Sequence, residues 1–286
     1  MTALDVSPAP AATLAVTLAR QVAELLPRRA GEPWTVEPYA AWWTTKPAAR
    51  LAQGDRALIL VAHPWRTELA WQLPDREPYE PDLRLERISA APIAREVLRL
   101  LLPVVDDERA ARPAGKGAPR SLERLRLLDE IGHAMRLQGM ATYNRVGLLR
   151  DSSTLVWGTP AGLRYSVTLH GSNPVADVQI QGPVRALERA LGQFLPEPPA
   201  QSPREYVRGR VTGRLQRRLA AYLTQFTDAE QIDEGGLSFG SGKGPYGYAA
   251  PAADPAARIR DTSLAAVDLH GVGVDLLLSR AADLAR

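Results

Sequence analysis

The 286-residue chain reads as an α+β protein built from tandem α-ββββ-α units, each an antiparallel sheet backed by helices, with a helical C-terminal extension. Three observations carry that reading. Short segments of period-two alternation, such as Leu163–Leu169 with Leu163, Tyr165, Val167 and Leu169 on one face, are separated by turn chemistry. Segments of helical spacing flank each group of four. The same order then occurs twice, with LRLERISAAPIAREVLRLLLP matching ADVQIQGPVRALERALGQFLP in pattern.

The first unit spans 11–105. Ala11–Leu26 is a helix closed by Pro27, and Trp34–Pro38, a stretch near Arg50 and Leu51, Ala57–Ala62, Thr67–Leu73 and Leu83–Ile88 are strands. A helix over Pro92–Leu102 stops at Pro103. Residues 106–119, DDERAARPAGKGAP, form a polar linker. The second unit spans 120–196. It opens with a helix at Ser121–Leu137, N-capped by Ser121 and stopped by Gly139. Strands follow at Thr142–Leu149, Thr154–Thr159, Leu163–Leu169 and Ala176–Gln181, then a helix at Pro183–Phe194. Residues 204–286 read as helical: a long helix over Arg204–Phe226, an irregular Gly/Pro-rich loop over Gly235–Pro255, and a helix pair near Ala256–Val267 and Val272–Ala285.

Composition narrows function. There is no cysteine, which removes disulfides, thiolate metal sites and thiol nucleophiles. No segment has the apolar length of a membrane span, and the N-terminus lacks a signal-peptide pattern, so a cytoplasmic location is expected with no membrane partner. The net charge is +3 and the pI about 9.3, mildly basic.

Motifs for chemistry are absent. GGLSFGSGKGPYGY falls short of a phosphate-binding loop: Leu237 stands where the first glycine is needed, and Gly244 where Ser or Thr is needed. His63, His133, His170 and His270 lack metal-ligand spacing, and His63 and His170 fall near hairpin turns. No nucleophile elbow or acid–base carboxylate pair stands out, so no catalytic residue, metal or cofactor is assigned and the chain reads as non-catalytic.

The inferred topology resembles the TATA-binding-protein-like fold over roughly residues 11–195, without a sequence motif of that family. The resemblance implies a broad sheet face available for binding. Two functions compete. A protein-binding or assembly module, chaperone-like or a self-assembling structural subunit, would act through the C-terminal helices and the Gly-rich loop, with Phe239, Lys243, Tyr246 and Tyr248 at the partner. A nucleic-acid-binding protein would place Arg208, Arg210, Arg214, Arg217 and Arg218 on phosphates, with Trp42 or Trp43 near bases. Adjacent strand residues point to opposite faces, so one of Trp42 and Trp43 is exposed. An enzyme with an unrecognised pocket among the first-unit tryptophans comes third. The low net charge favours the protein-binding module.

Overall fold

The computed structural model describes residues 10–112, 120–146, 151–198, 207–208, 211, 213–232, 236–240, 244–249 and 258–286. Residues 1–105 and 106–286 form two compact units. The chain is mixed α+β, and its sheets are antiparallel apart from one short edge pair.

In the first unit, α1 (Pro10–Leu25) buries Ala15, Leu18, Ala19 and Val22, a helical stripe. Five strands follow as a meander in order β1 (Thr35–Ala40), β2 (Pro47–Gln53), β3 (Arg56–Ala62), β4 (Thr67–Gln72) and β5 (Leu83–Leu85). The β2–β3 turn has two residues and opens on Gly54 at φ 60°, a conformation glycine adopts without strain. Nearly every residue of β3 and β4 is buried, so these strands are covered on both faces.

After β5 come α2 (Ala90–Glu96), a π-helical turn (Val97–Leu101) and α3 (Leu102–Ala111). Pro103 therefore does not stop the helix. It sits at the start of α3, directly after a widened turn in which the Leu102 amide donates to the Val97 carbonyl five residues back. Such a turn accommodates a residue that cannot donate and whose ring crowds the carbonyl four positions earlier. Part of the expected linker, 106–111, is accordingly helical, and 113–119 lie outside the described residues.

The next helix, in the second unit, is α4 (Arg120–Leu137), so Ser121 falls inside the helix. The helix buries Arg124, Leu127, Leu128, Ile131 and Met135, while Leu122 is exposed. Gly139, at φ 80°, ends it, and the Met140 amide donates to the Met135 carbonyl. Then come β6 (Thr142–Val146), β7 (Ser152–Gly158), β8 (Arg164–His170), β9 (Val175–Pro183) and α5 (Val184–Leu191).

The C-terminal part corrects the expectation of a helical extension. Val207–Arg208 is a short strand, β10, and the helix α6 runs only over Arg214–Leu223. Gly213 precedes it in extended conformation, and a Cβ there would lie 1.7 Å from Gln216 Oε1. The glycines at 209 and 213 and the β-branched residues between them oppose one continuous helix. The supposed irregular loop contains β12 (Leu237–Phe239) and β13 (Tyr246–Ala249), preceded by β11 (Ala229–Gln231). The supposed helix near 256–267 does not form in its described part: 258–263 are turn and irregular chain, and 264–267 open the ten-residue β14 (Leu264–Gly273), where Ala265, Val267 and Leu269 are buried and Leu264, Ala266, Asp268 and His270 are not. Its period is two, the pattern of a strand with one covered face. Two short helices, α7 (Val274–Ser279) and α8 (Ala281–Leu284), end the chain.

The nine strands among the described residues of this unit join in one sheet, ordered β10-β11-β12-β13-β14-β9-β8-β7-β6. The order reads inward from both sides: α4, four strands and α5 are met by α6, four strands and α7, with the fourth strands β9 and β14 paired antiparallel in the middle. The capping repeats too. The first amide of α5, Val184, donates to the carbonyl of Ser263, just before β14 (2.8 Å), and the first amide of α7, Val274, donates to that of Pro174, just before β9 (3.0 Å). Helices cover one face, over a core that includes Trp157 stacked on Tyr165 with centroids 4.8 Å apart.

Candidate functional site

Alternation puts a polar and aromatic set on the opposite face of the nine-stranded sheet. The strand registers align it into rows. One runs Tyr143, Val156, Ser166, Gln179, Asp268, Tyr248, Ser238 and Glu230. The next begins Arg145, Thr154, Thr168 and Asp177 and reaches His270 and Tyr246 across a bulge between Leu269 and Val272. These residues are exposed or half-buried except Val156, in contrast to their neighbours on the helix-covered face.

The two rows meet in a shallow depression of about 270 Å³, lined by Ser166, Thr168, Asp177, Gln179, Tyr248 and Asp268 among others. At its rim Asp177 is clamped by two imidazoles. His270 Nδ1 donates to Oδ1 at 2.7 Å and His170 Nε2 donates to Oδ2 at 3.0 Å. The bulge aims His270 back at Asp177, and the ring of Tyr246 leans on His270 with centroids 5.4 Å apart. Thr154 and Thr168 hydroxyls are 2.9 Å apart. Between the middle strands, Gly247 allows the close approach of β13 to β14, since a Cβ there would lie 2.0 Å from the Asp268 carbonyl oxygen.

The chemistry of this surface is that of binding. It offers donors and acceptors, two tyrosine rings and two carboxylates, Asp177 and Asp268, with no Lys or Arg in the two rows across β8, β9, β14 and β13. Among the described residues no group of three side chains is placed to hold a metal ion.

The residues expected from sequence scatter. Tyr246 and Tyr248 lie on the open face, 49% and 39% exposed. Phe239 is buried on the helix side, and Lys243 lies outside the described residues. Arg208 is in β10, and Arg210 lies outside the described residues. Arg214 and Arg217 are exposed on α6. Arg218 is held: its guanidinium donates to both oxygens of Glu188, at 2.7 and 2.8 Å, and to Asp261 at 2.8 Å, an arrangement that raises its pKa further and leaves few donors for a phosphate. Asp261 also pairs with Arg185 at 3.3 Å. Because α6 packs on β11 and β12 through Leu215, Leu219 and Leu223, its arginines do not join the open face.

Trp42 and Trp43 are in the first unit, in the β1–β2 turn. Trp42 is exposed, and Trp43 packs on a cluster of Ala41, Ala48, Ile59 and Val61 while its Nε1 donates to Glu68 Oε2 at 3.3 Å. Asp177, Asp268 and Gln179 were missed from sequence, and His170 and His270 were set aside there for want of metal-ligand spacing. For Asp177, Gln179, Asp268 and His270 the signal was the alternation of polar with buried apolar residues in ADVQIQ and in the VDLH end of LAAVDLH.

No protein-family model matches the chain, and no curated protein or solved structure matches it.

Proposed function

We propose that the chain is a non-catalytic protein-binding module whose docking surface is the open face of the nine-stranded sheet. The supporting observation is that an extended sheet, fully layered with helices on one side, leaves rows of Tyr, His, Asp, Gln, Ser and Thr on the other. Tyrosines supply amphipathic contact area at low entropic cost, and the surrounding polar groups supply adaptable hydrogen bonds. The carboxylates of Asp177 and Asp268 make the centre acidic, which selects an extended partner segment carrying Lys or Arg.

The same carboxylates weigh against nucleic acid, because phosphates would meet them across the face. Arg218, the expected phosphate contact, is already committed to Glu188 and Asp261.

We also infer that residues 120–191 and 213–279 arose by tandem duplication, with the first unit, which carries five strands between its helices where four were expected, as a more diverged copy. The mirrored strand order and the reciprocal capping of α5 and α7 support it. The layout, a sheet with helices on one side only, keeps the resemblance to the TATA-binding-protein-like fold at the level of architecture.

The test is selection of displayed random peptides on the purified protein. Basic extended peptides of micromolar affinity, weakened at least about tenfold by Asp268→Lys or Tyr248→Arg, are expected. Peptides indifferent to both substitutions, or a salt-sensitive mass increase with DNA in light scattering, would overturn the reading.

A further inference from the structure

The first unit carries a second surface, at one end of its meander. In the order β1-β2-β3-β4-β5 the β1–β2 and β3–β4 turns emerge at the same end, two strand spacings or roughly 10 Å apart. Each presents an exposed tryptophan: Trp42, 75% exposed, and Trp65, 70% exposed. A third segment reaches the same end. The chain leaving β5 is tied to the first residue of β4, whose Thr67 hydroxyl donates to the Arg87 carbonyl at 2.7 Å, and the next residue, Ile88, is 54% exposed.

The two turns are built as rigid supports. The His63 amide donates to the Arg66 carbonyl at 2.9 Å, and the Lys46 amide donates to the Thr44 hydroxyl at 3.1 Å. Trp43, beside Trp42, is anchored inward through its hydrogen bond to the buried Glu68, so the exposure of Trp42 is fixed by its neighbour. Arg66 Nη2 also pairs with Glu68 at 3.0 Å.

Cations outnumber carboxylates at this end, although Arg66 and His63 both lie against the buried carboxylate of Glu68. Neither turn, 41–46 or 63–66, contains a carboxylate; together they contain Lys46, Arg66 and His63. The third segment adds Arg87 and Glu86.

We propose that this end of the first unit docks on anionic lipid surfaces, with Trp42, Trp65 and Ile88 entering the headgroup–acyl boundary and the flanking cations meeting lipid phosphates. Tryptophan is the side chain most at home at that boundary, and anionic lipid adds attraction for each nearby cation. Three apolar tips on separate connections at one end match a flat, yielding surface. Base stacking would not use Ile88, an aliphatic side chain. No helix is needed to span the bilayer, and no helix among the described residues is long and apolar enough to do so.

The test is co-sedimentation of the full chain with vesicles of phosphatidylcholine alone and of phosphatidylcholine mixed with phosphatidylserine, at low and moderate salt. Binding to the mixed vesicles, weakened by salt and by omission of phosphatidylserine, is expected. The Trp42→Ala/Trp65→Ala double variant should keep the far-ultraviolet spectrum of the parent and lose at least about tenfold in binding. Quenching of tryptophan emission by brominated lipid should fall in the same variant. The proposal is overturned by three outcomes: failure to sediment with anionic vesicles, binding unchanged in the double variant, or single-stranded DNA binding lost in that variant without vesicle binding.

Discussion

The two sheets solve the same packing problem differently. In the five-stranded sheet, β3 and β4 are buried on both faces; β3 reads in sequence as a near-continuous apolar run, RALILVA, while β4, TELAWQ, buries Thr67 and Glu68 beside Leu69, Ala70 and Trp71. On the side holding Ile59 and Val61, Trp43 of the β1–β2 turn and Tyr39 of β1 pack over the strands. Tyr39 is tied there by its hydroxyl donating to Glu77, and burial, with this bond, raises the phenol's pKa. In the nine-stranded sheet the inner strands alternate, and no such cover lies in their pattern. A strand face left polar is a face meant for water or a partner, whereas a strand apolar on both sides has spent both on stability.

The comparison breaks most visibly at paired positions. Ile59→Ala, on the second face of β3, should cost about 3 kcal/mol, while Gln179→Ala, on the open face of β9, should stay within about 0.5 kcal/mol in denaturant unfolding. Equal costs would mean the open face is layered after all. Gly247→Ala is next: its Cβ would collide with the Asp268 carbonyl, so a loss of about 2 kcal/mol is expected by the same measurement.

Arg218→Ala should cost about 1–2 kcal/mol, since it leaves the partly buried Glu188 without its bidentate partner. The sign of the acid dependence follows from Asp261. Hydrogen bonding from Arg218 holds its carboxyl below the usual carboxylate range, so its contribution is present above that range and is lost as pH falls through the lowered value. The Arg218 variant should show a shallower acid limb.

At the alkaline end, burial pushes the Tyr165 phenol far above its ordinary 10.0. The unfolded chain ionises first, so stability should decline as pH rises past about 10 and Tyr165→Phe should flatten that decline. The smallest expected effect on stability belongs to Tyr246→Ser and Tyr248→Ser, within about 0.5 kcal/mol each, although both should weaken peptide binding.

Legibility in sequence followed pattern strength. β8, with Tyr165, Val167 and Leu169 on one side, and α5, which ends at Leu191 ahead of the prolines expected to stop it, were readable because a single period dominated. β14 was misread because alanine suits either period, and only Val267, Asp268, Leu269 and His270 carry the alternation. β12 and β13 were hidden by glycines, yet Gly247 is there because two strands come too close for a side chain. The Asp177 clamp could not be read at all. His170 is seven residues from Asp177 and His270 ninety-three; the β8–β9 hairpin brings the first to Asp177 and the β9–β14 pairing the second.

The most direct measurement is tyrosine-selective chemical labelling of the full chain, free and saturated with a selected basic peptide. Tyr246 and Tyr248 should label readily in the free protein and be protected in the complex, while Tyr165 stays unlabelled in both. Unreactive Tyr246 and Tyr248 in the free protein, or unchanged labelling on binding, would contradict the docking face.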